Sequence, residues 1–387
     1  MKKGNVKNVL FVFGGVSCER DISVITGVLA LNCTDKNIYN PVPLYITENG
    51  CFTGDKLFDL SFYKARSLDG AEKAALLAGD GNLYSVKRGK LKKLCEIFCA
   101  VNCCHGLNGE DGCVAGLVRL SGIPFASPDM LASSVYMDKA AAKYYLSGLG
   151  VDILPYKTVE KPAFYRNREL VLSSVERNME YPVIVKPARL GSSIGIKRAD
   201  NRDRLIEAIE YALKFDGRII IEKALCDFIE INCAAYRHKG RIIVSECENP
   251  KAGGDMLSFE DKYGSGLKHA LSRDFPADIP KETSDKIKAI TELVYRETYA
   301  CGVIRIDYLL TRGGEIYLNE VNTVPGSLAL YLFRNSVSEF GQVLSELIEE
   351  GVRERRDFDN GTFVYPSNVL SGAGSKTMGL KRSTNRR

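Results

Sequence analysis

The chain carries little excess charge: 53 Lys and Arg against 48 Asp and Glu leave a net +5 over 387 residues. That surplus is too small to argue for a nucleic-acid partner, and part of it sits in the C-terminal stretch 365–387. Long apolar runs are missing too. No stretch approaches the roughly 18 to 20 residues of a membrane-spanning helix. The apolar residues 9–13 are too few, and too soon followed by Gly14 and Gly15, for a secretory signal. No C-x-x-C pair has a second half, so a zinc-finger framework has no basis. Cys103, Cys104 and His105 are adjacent, and neighbours on a strand face opposite ways. Twelve cysteines in a long chain with no export signal read as reduced thiols of a cytoplasmic protein. Two familiar nucleotide fingerprints are absent as well. Gly14 and Gly15 do not open a G-x-G-x-x-G, and the lysine before the glycine loop at 191–195 is in the wrong order for a Walker A loop.

What remains is an α/β chain long enough for two or three domains. A strand at 7–13 runs into a turn with helix-capping Ser and Asp. Strands at 39–46 and 97–102 alternate with helical stretches, so the first 125 or so residues predict an open α/β sheet. Residues 55–95, polar and mixed in pattern, predict an inserted helix and hairpin. Residues 130–149 read as a helix closed by Gly150. Strands at 181–186 and 218–222 flank a helix at about 202–215, and strands at 229–236 and 240–248 follow. A helix at 280–299, a hairpin at 301–322 and a helix to about 353 complete the pattern. The expected domains are 1–128, 129–223 and 224–364, with a basic tail at 365–387 whose composition predicts disorder.

The hairpin carries the clearest chemistry. Arg305 and Asp307 lie two apart on one strand, Glu320 and Asn322 two apart on the next, so each pair shares a face. If Gly313 and Gly314 form a two-residue turn, Asp307 falls opposite Glu320 and Arg305 opposite Asn322. Two facing carboxylates repel, and a hard cation such as Mg²⁺, completed by nucleotide phosphates, would compensate them. The rival reading is a solvated hairpin face, and a three-residue turn would shift the register and separate the groups.

Other segments suit a polyphosphate. An apolar strand delivers Lys186, and the loop Gly191-Ser192-Ser193-Ile194-Gly195 follows, with glycines for an anion nest and hydroxyls as donors. Glu222 ends a four-residue strand at a position able to meet a purine edge, Glu230 is a candidate for ribose hydroxyls, and Lys139 opens a helical stretch facing the same cleft. Each alone also fits an ordinary surface residue. His105 sits just past a strand end, where α/β sheets place ligands, with helix capping as the alternative. The small-residue stretch 253–273 predicts a lid.

Taken in order, the segments 14–19 (GGVSCE), 105–112 (HGLNGEDG), 137–139 (MDK), 185–187 (VKP), 191–195 (GSSIG), 305–307 (RID) and 320–326 (EVNTVPG) resemble the D-alanine:D-alanine ligases of the ATP-grasp superfamily. The resemblance covers nearly all of residues 7–350. It implies an α/β ATP-grasp architecture in which ATP lies between central and C-terminal domains. Asp307, Glu320 and Asn322 would hold two Mg²⁺ or Mn²⁺. Lys139, Lys186, Ser192 and Ser193 would meet phosphates, with Asn319 also in the nucleotide site, and Glu222, Lys223, Leu225 and Glu230 would hold adenine and ribose. Glu19 would receive the ammonium of the first D-alanine, Ser192 and Tyr263 would fasten the lid to it, and Lys262 would reach the phosphates. His105, Gly326, Ser327 and Tyr331 would line the substrate pocket, with Arg305 and the Gly326 amide stabilising the oxyanion. The resemblance also implies a cytoplasmic homodimer serving peptidoglycan synthesis. One position departs from the family pattern: Tyr331, followed by Leu332, stands where many members carry a serine. D-serine as acceptor is therefore an alternative to a second D-alanine, and an inactive nucleotide-binding relative is another.

Overall fold

The computed structural model describes residues 6–251, 273–334, 336–363 and 367. Its first sheet has seven strands in the order β6-β5-β4-β3-β2-β1-β7. The parallel centre is β1 (Lys7–Gly14), β2 (Tyr39–Thr47) and β7 (Cys99–Asn102), with helix α1 (Arg20–Cys33) crossing from β1 to β2. Val9 to Phe13 are completely buried, as expected for a parallel strand covered on both faces. The inserted segment is larger than one helix and a hairpin. After α2 (Leu60–Lys64) come β4 (Glu72–Leu76), β5 (Asn82–Lys87) and β6 (Lys90–Glu96), an antiparallel meander that extends the sheet beyond β3 (Gly50–Thr53). Most of β6 is exposed and lysine-rich. Such a strand protects a sheet edge from further pairing and shows no apolar alternation to be read.

The second sheet runs β10-β9-β11-β8 and the third β13-β12-β16-β17. β8 (Tyr156–Glu160), β9 (Val183–Pro187), β10 (Lys197–Ala199) and β11 (Arg218–Lys223) follow helices α3 (Cys113–Leu120), α4 (Met130–Met137) and α5 (Lys139–Gly148). Helices α6 (Lys161–Arg166), α7 (Arg168–Glu176) and α8 (Arg202–Ala212) complete this second unit. Its core joins Phe164 and Leu172 to Val183, Leu205 and Ile219. In the third sheet, β12 (Phe228–His238) pairs with β13 (Arg241–Val244) and with β16 (Val303–Thr311), which pairs with β17 (Ile316–Asn322). A short pair, β14 (Asn249–Pro250) with β15 (Arg273–Asp274), lies beside it, and helices α9 (Lys281–Glu297) and α10 (Val337–Asp359) follow. No helix among the described residues is long and apolar enough to cross a membrane. The expected lid, apart from Arg273, and the expected tail, apart from Ser367, lie outside the described residues.

Two local departures shape the site. The helix expected over 130–149 is broken at Asp138, whose backbone is extended (φ −90°, ψ 106°). Its carboxylate accepts from the N–H groups of Ala140 and Ala141, so it caps α5 and makes Lys139 the first helical residue. A side chain that caps a new helix start outcompetes continuation of the old helix. The second departure is in the hairpin. Its turn has three residues, Arg312 to Gly314, because Thr311 N–H bonds to Glu315 O at 3.0 Å and Gly314 adopts φ 85°. A register shift between Asp307 and Tyr308 then inserts Asn319 as an extra residue on β17. The bulge cancels the longer turn. Asp307 still pairs with Glu320, and Arg305 with Asn322.

Candidate active site

Between the second and third sheets lies a cleft of about 1000 Å³. Lys139, Lys186, Ser192, Ser193, Glu222, Lys223, Leu225, Glu230, Asn319, Asp307 and Glu320 all line it. Of the expected nucleotide and phosphate contacts, Lys262 alone lies outside the described residues, as does Tyr263 of the lid.

Lys186, at the end of β9, places its Nζ 2.5 Å from Glu222 Oε2 and 3.2 Å from Asn319 Oδ1. The bulge thus turns the extra residue, Asn319, toward Lys186. The other Glu222 oxygen is 2.7 Å from Lys143 Nζ. Burial pushes the Glu222 carboxyl up, but the ammonium groups of Lys186 and Lys143 outweigh it and bring it down to about 2. Across the cleft, Lys139 Nζ donates to Leu190 O at 2.8 Å and sits 3.2 Å from Glu320 Oε1. Its backbone N–H donates to Ala188 O at 2.9 Å, so the capped start of α5 braces the loop after β9.

That loop follows β9 directly. Ser192 and Ser193 have φ of 53° and 59°, a left-handed pair unusual for non-glycine residues. Ser192 Oγ donates to Glu19 Oε1. Glu19 is buried at the start of α1 and fits between two bare backbones. A Cβ on Gly106 would lie 2.6 Å from its Oε2, and one on Gly191 would lie 2.8 Å from its Oε1. Glu110 accepts from Gly106 N–H at 2.8 Å and Val324 N–H at 3.1 Å, tying this loop to the turn after β17. Burial, with Glu19 next in effect, raises the Glu110 carboxyl to about 8.

On β16, Arg305 grips Asp307 through two bonds of 2.7 and 2.9 Å, and Asn322 Nδ2 donates to Asp307 Oδ2 at 3.0 Å. As expected from the i, i+2 spacing, Arg305 shares the face of Asp307 and stands opposite Asn322. Here it supplies the positive charge that the facing carboxylates require. Asn232 stands opposite Asp307 on β12, and its buried Oδ1 has no hydrogen-bond partner among the described residues.

Two family models match the chain, one described as D-ala D-ala ligase N-terminus over residues 8–128 and one as D-ala D-ala ligase C-terminus over residues 145–353. The chain belongs to the D-alanine–D-alanine ligase family. A relative named D-alanine–D-alanine ligase from Thermosipho africanus is 35% identical over 367 residues, 94% of this chain and 98% of its own length. The crystal structure of the VanG D-Ala:D-Ser ligase from Enterococcus faecalis matches with a TM-score of 0.75 at 26% identity, covering 90% of this chain and 100% of its own. That of D-alanyl-alanine synthetase A from Vibrio cholerae matches with a TM-score of 0.76 at 22% identity, covering 90% and 99%, a likeness of fold. The fold is the ATP-grasp architecture of these ligases.

The part of this ligase-family chain beyond the cleft holds the remaining expected residues. His105 is buried, with Nε2 3.0 Å from Thr26 Oγ1, which also accepts from Ser327 N–H at 3.1 Å. Burial, and then the charge of Arg305, pushes the imidazole down to about 3, so His105 is neutral. Gly326 begins a tight turn in which Ser327, Leu328 and Ala329 have φ of 52°, 52° and 48°. Burial raises the Tyr331 phenol, and the nearby charge of Arg305 opposes it. The Tyr331 ring carries the Arg273 guanidinium at 4.8 Å, and Arg273 in turn pairs with buried Glu248 at 2.9 Å. Tyr331 thus lies beside Arg305 with Arg273 over its ring. Sequence reasoning missed Thr26, Glu110, Lys143, Asn232 and Arg273. Two of these had a readable signal: Glu19, Ser23 and Thr26 form a polar stripe at helical spacing, and Asn232 interrupts an apolar strand.

Proposed function

We propose that the chain joins two D-alanines at the expense of ATP, through an acyl phosphate. The observation that carries the reading is the meeting of Glu19 and Ser192 beside a cleft whose two lysines, Lys139 and Lys186, face the Asp307–Glu320 pair. ATP fills the cleft. Lys139, Lys186 and the serine loop take its phosphates, the backbone at Lys223 to Leu225 with Glu222 takes the purine edge, and Glu230 takes the ribose. Glu19 receives the ammonium of the first D-alanine. A carboxylate oxygen of that first D-alanine then attacks the γ-phosphorus, the bond to ADP breaks, and a D-alanyl phosphate forms. The amine of the second D-alanine attacks the carbonyl, with Arg305 and the Gly326 N–H as oxyanion donors, and inorganic phosphate leaves. Neutral His105 holds Thr26 and the Ser327 turn at the acceptor side. An acyl phosphate hydrolyses readily, so water has to be kept from the site while it persists.

The donor set fits Mg²⁺ or Mn²⁺. Asp307, Glu320 and the Asn322 amide are hard oxygen ligands, and the unpartnered Asn232 oxygen lies across the ladder from Asp307. Among the described residues no three His, Cys, Asp or Glu side chains form a protein cage. That suits a cation which usually binds through one or two carboxylates plus substrate phosphates. When bound, it would neutralise charge on the transferring phosphoryl group. A cytoplasmic homodimer belongs to the same proposal.

The test is ADP release with D-alanine alone, followed by D-serine or D-lactate as added acceptors. Turnover with D-alanine alone is expected, and its absence would sink the reading. The 26% identity to the VanG D-Ala:D-Ser ligase, together with Tyr331 in the acceptor pocket, favours D-serine as the second reading. Turnover only when D-serine is added would establish it.

A further inference from the structure

Lys143 has no part in the scheme above, yet it is a buried ammonium beside the cleft. It is 3% exposed, does not line the cleft, and sits one helical turn after Lys139 on α5. Its Nζ has two neighbours of note, Glu222 Oε1 at 2.7 Å and the ring of Tyr156 at 5.6 Å. A buried lysine is expensive, and an apolar side chain of similar volume would ordinarily serve packing better. Its presence calls for a reason outside packing.

The charges around Glu222 supply one. Lys186 must give its charge to a polyphosphate, but Glu222 Oε2 already holds it at 2.5 Å. With Lys186 as its only partner, Glu222 would form a neutral pair, and the cleft wall would offer the nucleotide little. Lys143 makes the group two ammoniums on one carboxylate, net +1. We infer that Lys143 is a positioning residue of the nucleotide site: it shares Glu222 and so leaves the charge of Lys186 available to the triphosphate. Burial keeps Lys143 from touching the ligand, so its effect passes through Glu222. The same arrangement holds Glu222 from both sides, one oxygen to each lysine, and the capped start of α5 fixes where Lys143 enters.

The inference rests on ATP as the occupant of the cleft, and the experiment separates the two. Binding of ATP, inorganic tripolyphosphate and adenosine is measured by calorimetry on the full chain and on Lys143→Met, Lys143→Arg and the double variant Lys143→Met/Glu222→Gln. Lys143→Met should bind ATP and tripolyphosphate roughly ten-fold more weakly, the size expected for one lost charge in a partly screened cleft. Adenosine should change by less than about three-fold, and Lys143→Arg should restore phosphate binding. The double variant is the decisive arm. Removing both buried charges leaves Lys186 unopposed, so tripolyphosphate affinity should return to within about three-fold of the parent chain. It also tests the idea if Lys143→Met alone fails to fold. Equal weakening of adenosine and tripolyphosphate, unchanged tripolyphosphate binding in Lys143→Met, or no recovery in the double variant would each overturn the inference while leaving the ATP reading in place. A parent chain that binds neither ATP nor tripolyphosphate would overturn both.

Discussion

Replacing Arg305 with leucine should cost stability as well as activity, and the amount follows from its surroundings. Asp307 is 4% exposed and, among the described residues, draws two of its three side-chain hydrogen bonds from Arg305, at 2.7 and 2.9 Å. Removing one partner of a buried ion pair costs about 3–5 kcal/mol, because the other charge is left uncompensated. The Asn322 amide, still 3.0 Å away, keeps one charge-assisted bond and places the loss near the lower end, about 3 kcal/mol. For a cooperative unit of about 150–250 residues each kcal/mol shifts Tm by about 2–4 °C, so a fall of about 6–12 °C is expected. Differential scanning calorimetry measures it. The double variant Arg305→Leu/Asp307→Asn should recover much of the loss, since both charges are gone. Mg²⁺ adds a further arm. It should raise the Tm of Arg305→Leu more than that of the parent chain, because the cation would take over compensation of Asp307. A Tm within about 2 °C of the parent, or a double variant no more stable than the single one, would refute the ion-pair reasoning. An absent Mg²⁺ effect would count against Asp307 as a ligand.

Glu320→Ala should abolish ADP release while leaving the far-ultraviolet spectrum unchanged; normal turnover would remove Glu320 from the cation site. Asp138→Ala should cost about 1 kcal/mol in urea unfolding through loss of the α5 cap. It should also raise the KM for ATP more than that for D-alanine, because Lys139 is seated by that cap. For Glu110 the sign is set by a folded-state pKa of about 8 against about 4.3 when unfolded. The folded chain holds this proton more tightly, so the group's contribution to stability is full below about pH 4 and is lost as pH rises toward about 8. Glu110→Gln should flatten the decline in unfolding free energy between about pH 5 and about pH 8, and an unchanged slope would show that Glu110 does not titrate there.

Much of the site was legible because it rests on strand alternation. Two polar pairs at i, i+2 on adjacent strands can meet only if the strands pair, and they do, in the expected register. The path to that register was misjudged. Gly313 and Gly314 suggested the shortest turn, whereas the chain uses a longer one and recovers with a bulge. A sign of this exists in β17: Leu318 and Val321 are both buried and three residues apart, which a regular strand with period two cannot satisfy. The break at Asp138 was hidden by the helical pattern on both sides, although aspartate is a strong capping residue. β6 was invisible because a lysine-rich edge strand has no buried face to mark it. Glu222 with Lys143 and Glu110 with Val324 join segments 79 and 214 positions apart (222 − 143 and 324 − 110), and no local spacing encodes such pairs.

The bulge at Asn319 also bears on how a chain of this kind can change length. Because it lies between the turn and the paired carboxylates, it acts as slack in the ladder: a residue lost at the tip can be matched by a residue lost at the bulge, and Glu320 stays opposite Asp307. Aligned by sequence alone, two chains that differ in this way would differ at two places seven residues or fewer apart (319 − 312), and a single gap between them would slide one of the paired carboxylates out of column. Insertions at the hairpin tip are therefore poor guides to whether the carboxylate pair has moved; the residue before Glu320 is the better one.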